Sequence, residues 1–274
     1  MNRFRNVFGS KKCNVIAMIH VEALPGTPGY KGSWARIVEK AITEARIFVK
    51  NKVDAILIEN MHDVPYLPNH LLGPETIACL SRVCNEIRQI VPPIIPCGIQ
   101  ILACGNKQAL AVAKATDLQF IRAEGFVFGH VADEGYTDAC AGDLLRYRKF
   151  IDAEDVLIFT DLKKKHSSHA ITNDVTLLET AKAAEFFLTD GIVITGKSTG
   201  QAASMEDLNE VLGRVNCPVL IGSGVNKKNI TQYYEKAQGV IIGSHFKVDG
   251  YWGNELSETS LTEFMNKVES IRNE

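Results

Sequence analysis

The chain of 274 residues has seven cysteines but no Cys-x-x-Cys pair, no His-x-x-x-His spacing, and no Gly-x-Gly-x-x-Gly turn after its first predicted strand. The first absence, with most cysteines inside apolar runs, leaves the thiols as small core residues of a reducing compartment. The second removes the usual local signature of a metal site. The third argues against an open sheet that binds a dinucleotide early in the chain. Also missing are an apolar run long enough to span a bilayer and a secretory core followed by a small-residue cleavage site. Charge of one sign is scarce as well: the net value of −2 gives no reason to expect nucleic acid or an acidic membrane as a partner. One absence is local. No acid precedes Glu22, whereas Arg3, Arg5, Lys11 and Lys12 do, a faint mitochondrial-presequence signal that the first strand, starting at 14, leaves little room for. The cytosol is the expected location, with mitochondria open.

What is present is a full core, 46% apolar and 23% charged, in a length that suits a barrel of roughly 250 residues. Strands are expected at 14–19, 53–58, 94–101, 119–122, 156–160, 191–194, 217–221 and 239–242. Most are continuous apolar runs without alternation, as in parallel strands covered on both faces; Pro96 and Gly98 interrupt the third. Helices are expected at 33–51, 74–91, 106–116, 140–151, 174–187, 204–214, between 226 and 238, and at 258–271, with Ser33 as the first cap. Three places, Val53-Asp54-Ala55-Ile56, Thr189-Asp190-Gly191-Ile192 and Ala237-Gln238-Gly239-Val240, share one pattern. Each leads from a helix through a tight turn into a strand, and this self-similarity favours a closed barrel over an open sheet. Residues 1–13 read as a short lead, and 123–138, rich in glycine and aromatics, as a long loop on the active side.

The last two strands each stop on a Gly-Ser turn, Gly222-Ser223-Gly224 and Gly243-Ser244. Small residues bare the backbone N–H groups there before a helix begins, and such a nest attracts anions. Placed after the seventh and eighth strands, the pair predicts a single (β/α)8 TIM barrel of the phosphate-binding type, one domain over 1–274.

The carboxyl ends of the strands then collect His20, Glu59, Asn60, Gln100, Arg122, Glu124, Asp161, Lys163 and Thr195. Asp161 and Lys163, two apart, would point to one side of an extended strand and place a carboxylate beside an ammonium. That lysine could clamp a phosphate or carbonyl oxygen, or form a Schiff base if neighbours such as Lys164 or Lys165 lowered its pKa. Glu59, closing an apolar strand, would have a raised pKa and move a proton, with His20 assisting. His166 beside the lysine run and Gly196 after the sixth strand are further candidates. The alternative, His20, Glu59, Glu124 and Asp161 as a shared set of ligands, could hold Mg2+ or Mn2+ for a hydrolase.

Taken in order, these residues resemble the BtpA family over nearly the whole chain. The matches are Phe8-Gly9, the first strand ending on His20, the loop Leu24-Pro25-Gly26-Thr27-Pro28, Ile58-Glu59-Asn60 and Ala141-Gly142-Asp143-Leu144-Leu145-Arg146. They continue with Asp161-Leu162-Lys163-Lys164-Lys165-His166, Val193-Ile194-Thr195-Gly196-Lys197-Ser198-Thr199-Gly200 and the two Gly-Ser turns. The resemblance implies a phosphate-binding TIM barrel and makes the basic N-terminus an ordinary part of the domain. Ala123-Glu124 departs from the Val-Asn pair of bacterial members. In function it implies a factor for accumulation of photosystem I, or, for other members, sugar-uptake genes as neighbours or a loose nucleoside-triphosphatase label. The expectation is an enzyme on a phosphorylated sugar or nucleotide-like metabolite, working as a homo-oligomer with isomerase, epimerase or aldolase/lyase chemistry. The alternative is a non-catalytic assembly factor.

Overall fold

The computed structural model describes residues 1–196 and 200–274. Eight parallel strands close into a barrel in sequence order: β1 Asn14–His20, β2 Ala55–Glu59, β3 Cys97–Gln100, β4 Phe120–Ala123, β5 Leu157–Leu162, β6 Gly191–Ile194, β7 Val219–Ile221 and β8 Gly239–Ile242, with β8 pairing back onto β1. Every residue of these strands is buried, which is why they read as continuous apolar runs. The third strand is shorter than expected. Pro92 to Pro96 form a turn in which Ile94 is 87% exposed, and pairing begins only at Cys97.

Alternate residues of each strand fall into two separate clusters. Ile16, Met18, Ala55, Leu57, Phe120, Phe159, Val193, Leu220 and Ile241 fill the barrel interior. Their neighbours Val15, Ala17, Ile56, Ile58, Ile121, Ile192 and Val240 face the surrounding helices. Gly98 is required inside, because a Cβ there would lie 2.4 Å from the Phe120 ring.

The N-terminal residues expected to be a plain lead instead form a helix, Asn2–Phe8, that plugs the amino end of the barrel. Its Phe4 and Phe8 stack at 4.6 Å and join the interior cluster, with Phe8 5.3 Å from Phe120 and 5.8 Å from Phe159. Three basic residues of this segment make structural contacts: Arg3 binds Asp190 and the carbonyl of Glu154, Lys11 binds Asp54, and Lys12 binds Glu235.

The repeated pattern before alternate strands has a physical purpose. Asp54, Gln119, Asp190 and Gln238 each precede an even-numbered strand, and each side chain accepts the N–H at the start of the preceding odd-numbered strand. The four bonds run from Val15 (2.7 Å), Cys97 (2.9 Å), Ile158 (2.9 Å) and Val219 (2.8 Å). The backbone N–H of each capping residue returns a bond to the carbonyl of that same partner. Four clasps of one geometry, two from Asp and two from Gln, therefore satisfy strand-start groups that would otherwise be buried without partners.

The outer layer is α1 Trp34–Lys50, α2 Pro74–Ile90, α3 Asn106–Ala115, α4 Ala141–Phe150, α5 Leu177–Phe186, α6 Met205–Val211, α7 Ile230–Tyr234 and α8 Glu258–Asn273. Ser33 caps α1, Thr176 and Glu179 make a reciprocal capping box on α5, and Ser204 and Ser257 cap α6 and α8, each worth about 1 kcal/mol. Among the described residues no helix is long and apolar enough to cross a membrane. The segment read as an active-side loop contains a hairpin, His130–Ala132 with Gly135–Thr137, whose first strand also pairs with Ser167–Ser168 beyond β5.

Candidate active site at the carboxyl end of the barrel

The interior rows continue two residues further at the top of the barrel as His20, Glu59, Gln100, Arg122, Asp161, Thr195, Gly222 and Gly243. The twofold period of a strand, which fills the interior with apolar side chains, thus aims one polar residue or glycine from each strand or its end into the mouth. Arg122 and Asp161 form a bidentate pair, Nε to Oδ1 at 2.7 Å and Nη2 to Oδ2 at 2.8 Å, both side chains almost wholly buried. Burial opposes the guanidinium charge, but Asp161 outweighs it and raises the Arg122 pKa above its ordinary value. Arg122 is therefore a fixed cation on the floor of the site.

Glu59 stands next to it. Burial pushes its carboxyl up to about 7, while Arg122 and Lys165 pull the other way. His20 lies with Nε2 3.8 Å from Glu59 Oε2 and Nδ1 3.3 Å from the Trp252 carbonyl. Because a carbonyl only accepts, Nδ1 carries the proton and Nε2 turns a lone pair toward Glu59. Burial first, and Lys247 second, lower the His20 pKa to about 3, so the ring is neutral. Gly243 makes room for it, since a Cβ there would be 2.8 Å from His20 Nε2.

The two Gly-Ser turns share a cavity of about 210 Å3 with Met18, His20, Glu59, Arg122 and Lys165. The N–H groups of Ser223, Gly224 and Ser244 bond no other described residue. Gly222 contributes differently from the expectation. Its N–H is committed to the Ile194 carbonyl at 2.8 Å, and what it supplies is space, a Cβ there being 3.2 Å from Arg122 Nη2. The Ser223 hydroxyl is likewise engaged, accepting from Gly196 N at 2.7 Å and donating to the Gln201 carbonyl at 2.9 Å.

The expected pairing of Asp161 with Lys163 is not what the structure has. β5 ends at Leu162, Lys163 takes a positive φ of 46°, and its ammonium turns away to the Val175 carbonyl at 2.6 Å. Asp161 goes to Arg122 instead. The lysine in the central cavity is Lys165, whose ammonium has no hydrogen-bond or ion-pair partner among the described residues. Burial, then Arg122, lowers its pKa. Lys164 is held by Glu134 at 2.5 Å and Glu124 at 3.7 Å.

Asn60 has the opposite parity from Glu59 and ties loops together, donating to Asp63 and accepting from Leu102 N. Glu124 accepts from Cys104 N at 3.0 Å and Gln100 Nε2 at 3.2 Å. With His166 it lines a second cavity adjoining the first. Thr195 and Gly196 line a third, with Lys163 and Lys165. The reading of His20, Glu59, Glu124 and Asp161 as a metal set fails on geometry. Arg122 occupies both Asp161 oxygens, and among the described residues no group of three His, Cys, Asp or Glu side chains converges. The expectation that the chain lacks the P-loop spelling Gly-x-x-x-x-Gly-Lys-[Ser/Thr] was wrong, since residues 191–198 match it; however, Gly191–Ile194 is strand, and Lys197, Ser198 and Thr199, also part of the family motif, lie outside the described residues. Tyr66, Tyr251 and Trp252, from loops, were missed too.

The sequence profile of the BtpA family matches residues 11–270. The chain belongs to the BtpA family. Among BtpA-family relatives, an uncharacterised Caenorhabditis elegans protein named as mitochondrial is 46% identical over 269 residues, 97% of this chain and 96% of that protein. The photosystem I biogenesis protein BtpA of Synechocystis is 30% identical over 255 residues, 93% of this chain and 87% of that one. Solved structures share the TIM-barrel fold of this BtpA-family chain. Phosphoribosyl anthranilate isomerase of Thermus thermophilus superposes with a TM-score of 0.59 at 10% identity over 94% of this chain and 99% of that one. Orotidine 5′-monophosphate decarboxylase of Methanocaldococcus jannaschii gives 0.56 at 12% over 93% and 98%.

Proposed function

We propose that this BtpA-family protein is an enzyme acting on a small phosphorylated metabolite, a sugar phosphate or nucleotide-like molecule, by isomerase, epimerase or aldolase/lyase chemistry. The observation that carries the reading is the single cavity in which Glu59, Arg122 and Lys165 face the two Gly-Ser turns. A phosphate held by the N–H groups of Ser223, Gly224 and Ser244, with Gly222 and Gly243 giving room, would fix the substrate against the reactive groups. Glu59, with a carboxyl near 7, can take or return a proton next to a carbonyl at neutral pH. Arg122, locked by Asp161, and Lys165 would meet the oxygen on which negative charge develops. The lowered pKa of Lys165 also suits imine formation. Neutral His20, its Nε2 lone pair toward Glu59, would orient the protonated carboxyl. Lys163 has no part. That barrel neighbours carry names of enzymes with phosphorylated substrates supports the coarse reading.

The name of the Synechocystis relative favours a second reading, a non-catalytic assembly role, and the strongly exposed Phe150 (82%) and Phe186 (81%) would then meet a partner. Seven free thiols, mostly buried, suit the cytosol or, as the worm relative's name has it, mitochondria.

A thermal-shift screen of phosphorylated metabolites tests the choice, since a ligand at a hundred times its Kd adds about 2.7 kcal/mol. The enzyme reading expects a stabilising compound that is turned over, and Lys165→Met to abolish turnover with the fold intact. Full turnover in that variant would remove Lys165 from the mechanism.

A further inference from the structure

The cavity beside the Gly-Ser turns adjoins a second of about 410 Å3, and the two share Glu59, Met61, Arg122, Lys165 and Ser244. The second differs in kind. Its lining includes three aromatic residues, Tyr66, Tyr251 and Trp252. The Tyr66 hydroxyl already donates its proton to the Met61 carbonyl at 2.7 Å, so it offers a ligand its ring and an acceptor oxygen but no donor. Trp252 is held between Tyr251 at 5.6 Å and His62 at 5.1 Å. Such walls take the face of a planar ring or the C–H face of a sugar, and a phosphorylated sugar seated at the turns leaves this second volume for a ring attached to it.

A buried amide adds a second, independent constraint. Gln100, 2% exposed, lines this cavity. Its Nε2 donates to Glu124 Oε1 at 3.2 Å, and the carboxylate fixes the orientation, because the flipped amide would set oxygen against oxygen. Gln100 Oε1 is thereby left as a buried acceptor with no partner among the described residues. Such an acceptor is matched by a ligand N–H or O–H.

We infer that the second cavity is a subsite for a planar ring carrying a hydrogen-bond donor, so that the substrate is a phosphorylated sugar bearing such a ring, of the nucleoside 5′-monophosphate class, and not a bare sugar phosphate. This rests on the phosphate assignment proposed above. The phosphate sits at the turns, the sugar crosses Glu59 and Lys165, and the ring enters between Trp252 and Gln100.

Calorimetric titration of the full chain with inorganic phosphate, ribose 5-phosphate and the four common ribonucleoside 5′-monophosphates tests it. At least one nucleotide is expected to bind about ten-fold more tightly than ribose 5-phosphate. Trp252→Ala, at a half-buried loop position, is expected to erase that advantage while leaving ribose 5-phosphate binding unchanged, and Gln100→Leu to weaken the nucleotide selectively. If no nucleotide exceeds ribose 5-phosphate, or the advantage survives Trp252→Ala, the ring subsite is wrong and the phosphate reading stands. If Gln100→Leu leaves nucleotide binding unchanged, the donor assignment is wrong. If nothing phosphorylated binds, the phosphate reading itself fails.

Discussion

At the amino end of the barrel, Asp54, Gln119, Asp190 and Gln238 each meet both the N–H and the carbonyl at the start of a neighbouring strand. At the carboxyl end, by contrast, the Lys165 ammonium, Gln100 Oε1 and Thr195 Oγ1 have no partner among the described residues, and Glu59 holds a proton up to about pH 7. Both ends are buried and polar. The difference is that the clasps at one end close their hydrogen bonds internally, with Arg272 Nε beside Asp54 the exception there, whereas the other end leaves several open at the cavity, which fits the proposed division between residues that hold the fold and residues that meet a ligand.

Substitutions at the two ends should therefore divide cleanly. Glu59→Gln carries the largest expected effect, a loss of about 10²- to 10⁴-fold in turnover of whichever phosphorylated compound the screen identifies. It should not destabilise the protein, and pH reveals why. The unfolded carboxyl ionises near 4.5 and the folded one near 7, so between these values the unfolded state sheds a proton that the native state keeps. The contribution of Glu59 to stability is thus present below about 4.5 and lost as pH rises to about 7, of order 3 kcal/mol. Denaturation of wild type and Glu59→Gln across that window should show the variant gaining relative stability with pH. A parallel pair of curves would place Glu59 with the structural residues.

Asp190→Ala should do the reverse. It removes the acceptor of Ile158 N–H and the ion-pair partner of Arg148, 2.8 Å from Asp190, leaving the guanidinium only the Val156 carbonyl, and should cost about 3 kcal/mol in urea titration while the remaining folded protein keeps its ligand affinity. A weakened ligand with normal stability would break the division. Gln238→Ala, which removes one uncharged clasp from Val219, is the mildest, at about 1 kcal/mol. No measurable loss would mean that water replaces the clasp.

Much of the barrel was legible because its signals are local and repeated. The three copies of one turn-to-strand pattern turned out to be three of the four clasps, and Gln119 escaped notice because the apolar run that follows it is short. Within the rim, twofold periodicity alone separates inward Glu59 from outward Asn60. The same rule misled at Lys163, since it holds only while the chain is extended and β5 ends one residue earlier. Lys165 takes the place in the cavity that counting gave to Lys163. Phe4 and Phe8 sit four apart on a helix of seven residues, too short for a period to show. Tyr66 and Trp252 come from loops, where no period operates and only the closed chain brings them to Gln100.

The proposed chemistry depends on an anion seated at the Gly-Ser turns opposite Glu59 and Lys165. Its most direct test is to compare phosphorylated metabolites with their dephosphorylated counterparts by thermal shift, in wild type and in Ser244→Asp, which sets a negative charge beside the turn. The expected result is stabilisation by a phosphorylated compound only, abolished by Ser244→Asp without loss of the unliganded melting temperature. Equal shifts with and without the phosphate, or stabilisation that persists in Ser244→Asp, would contradict it.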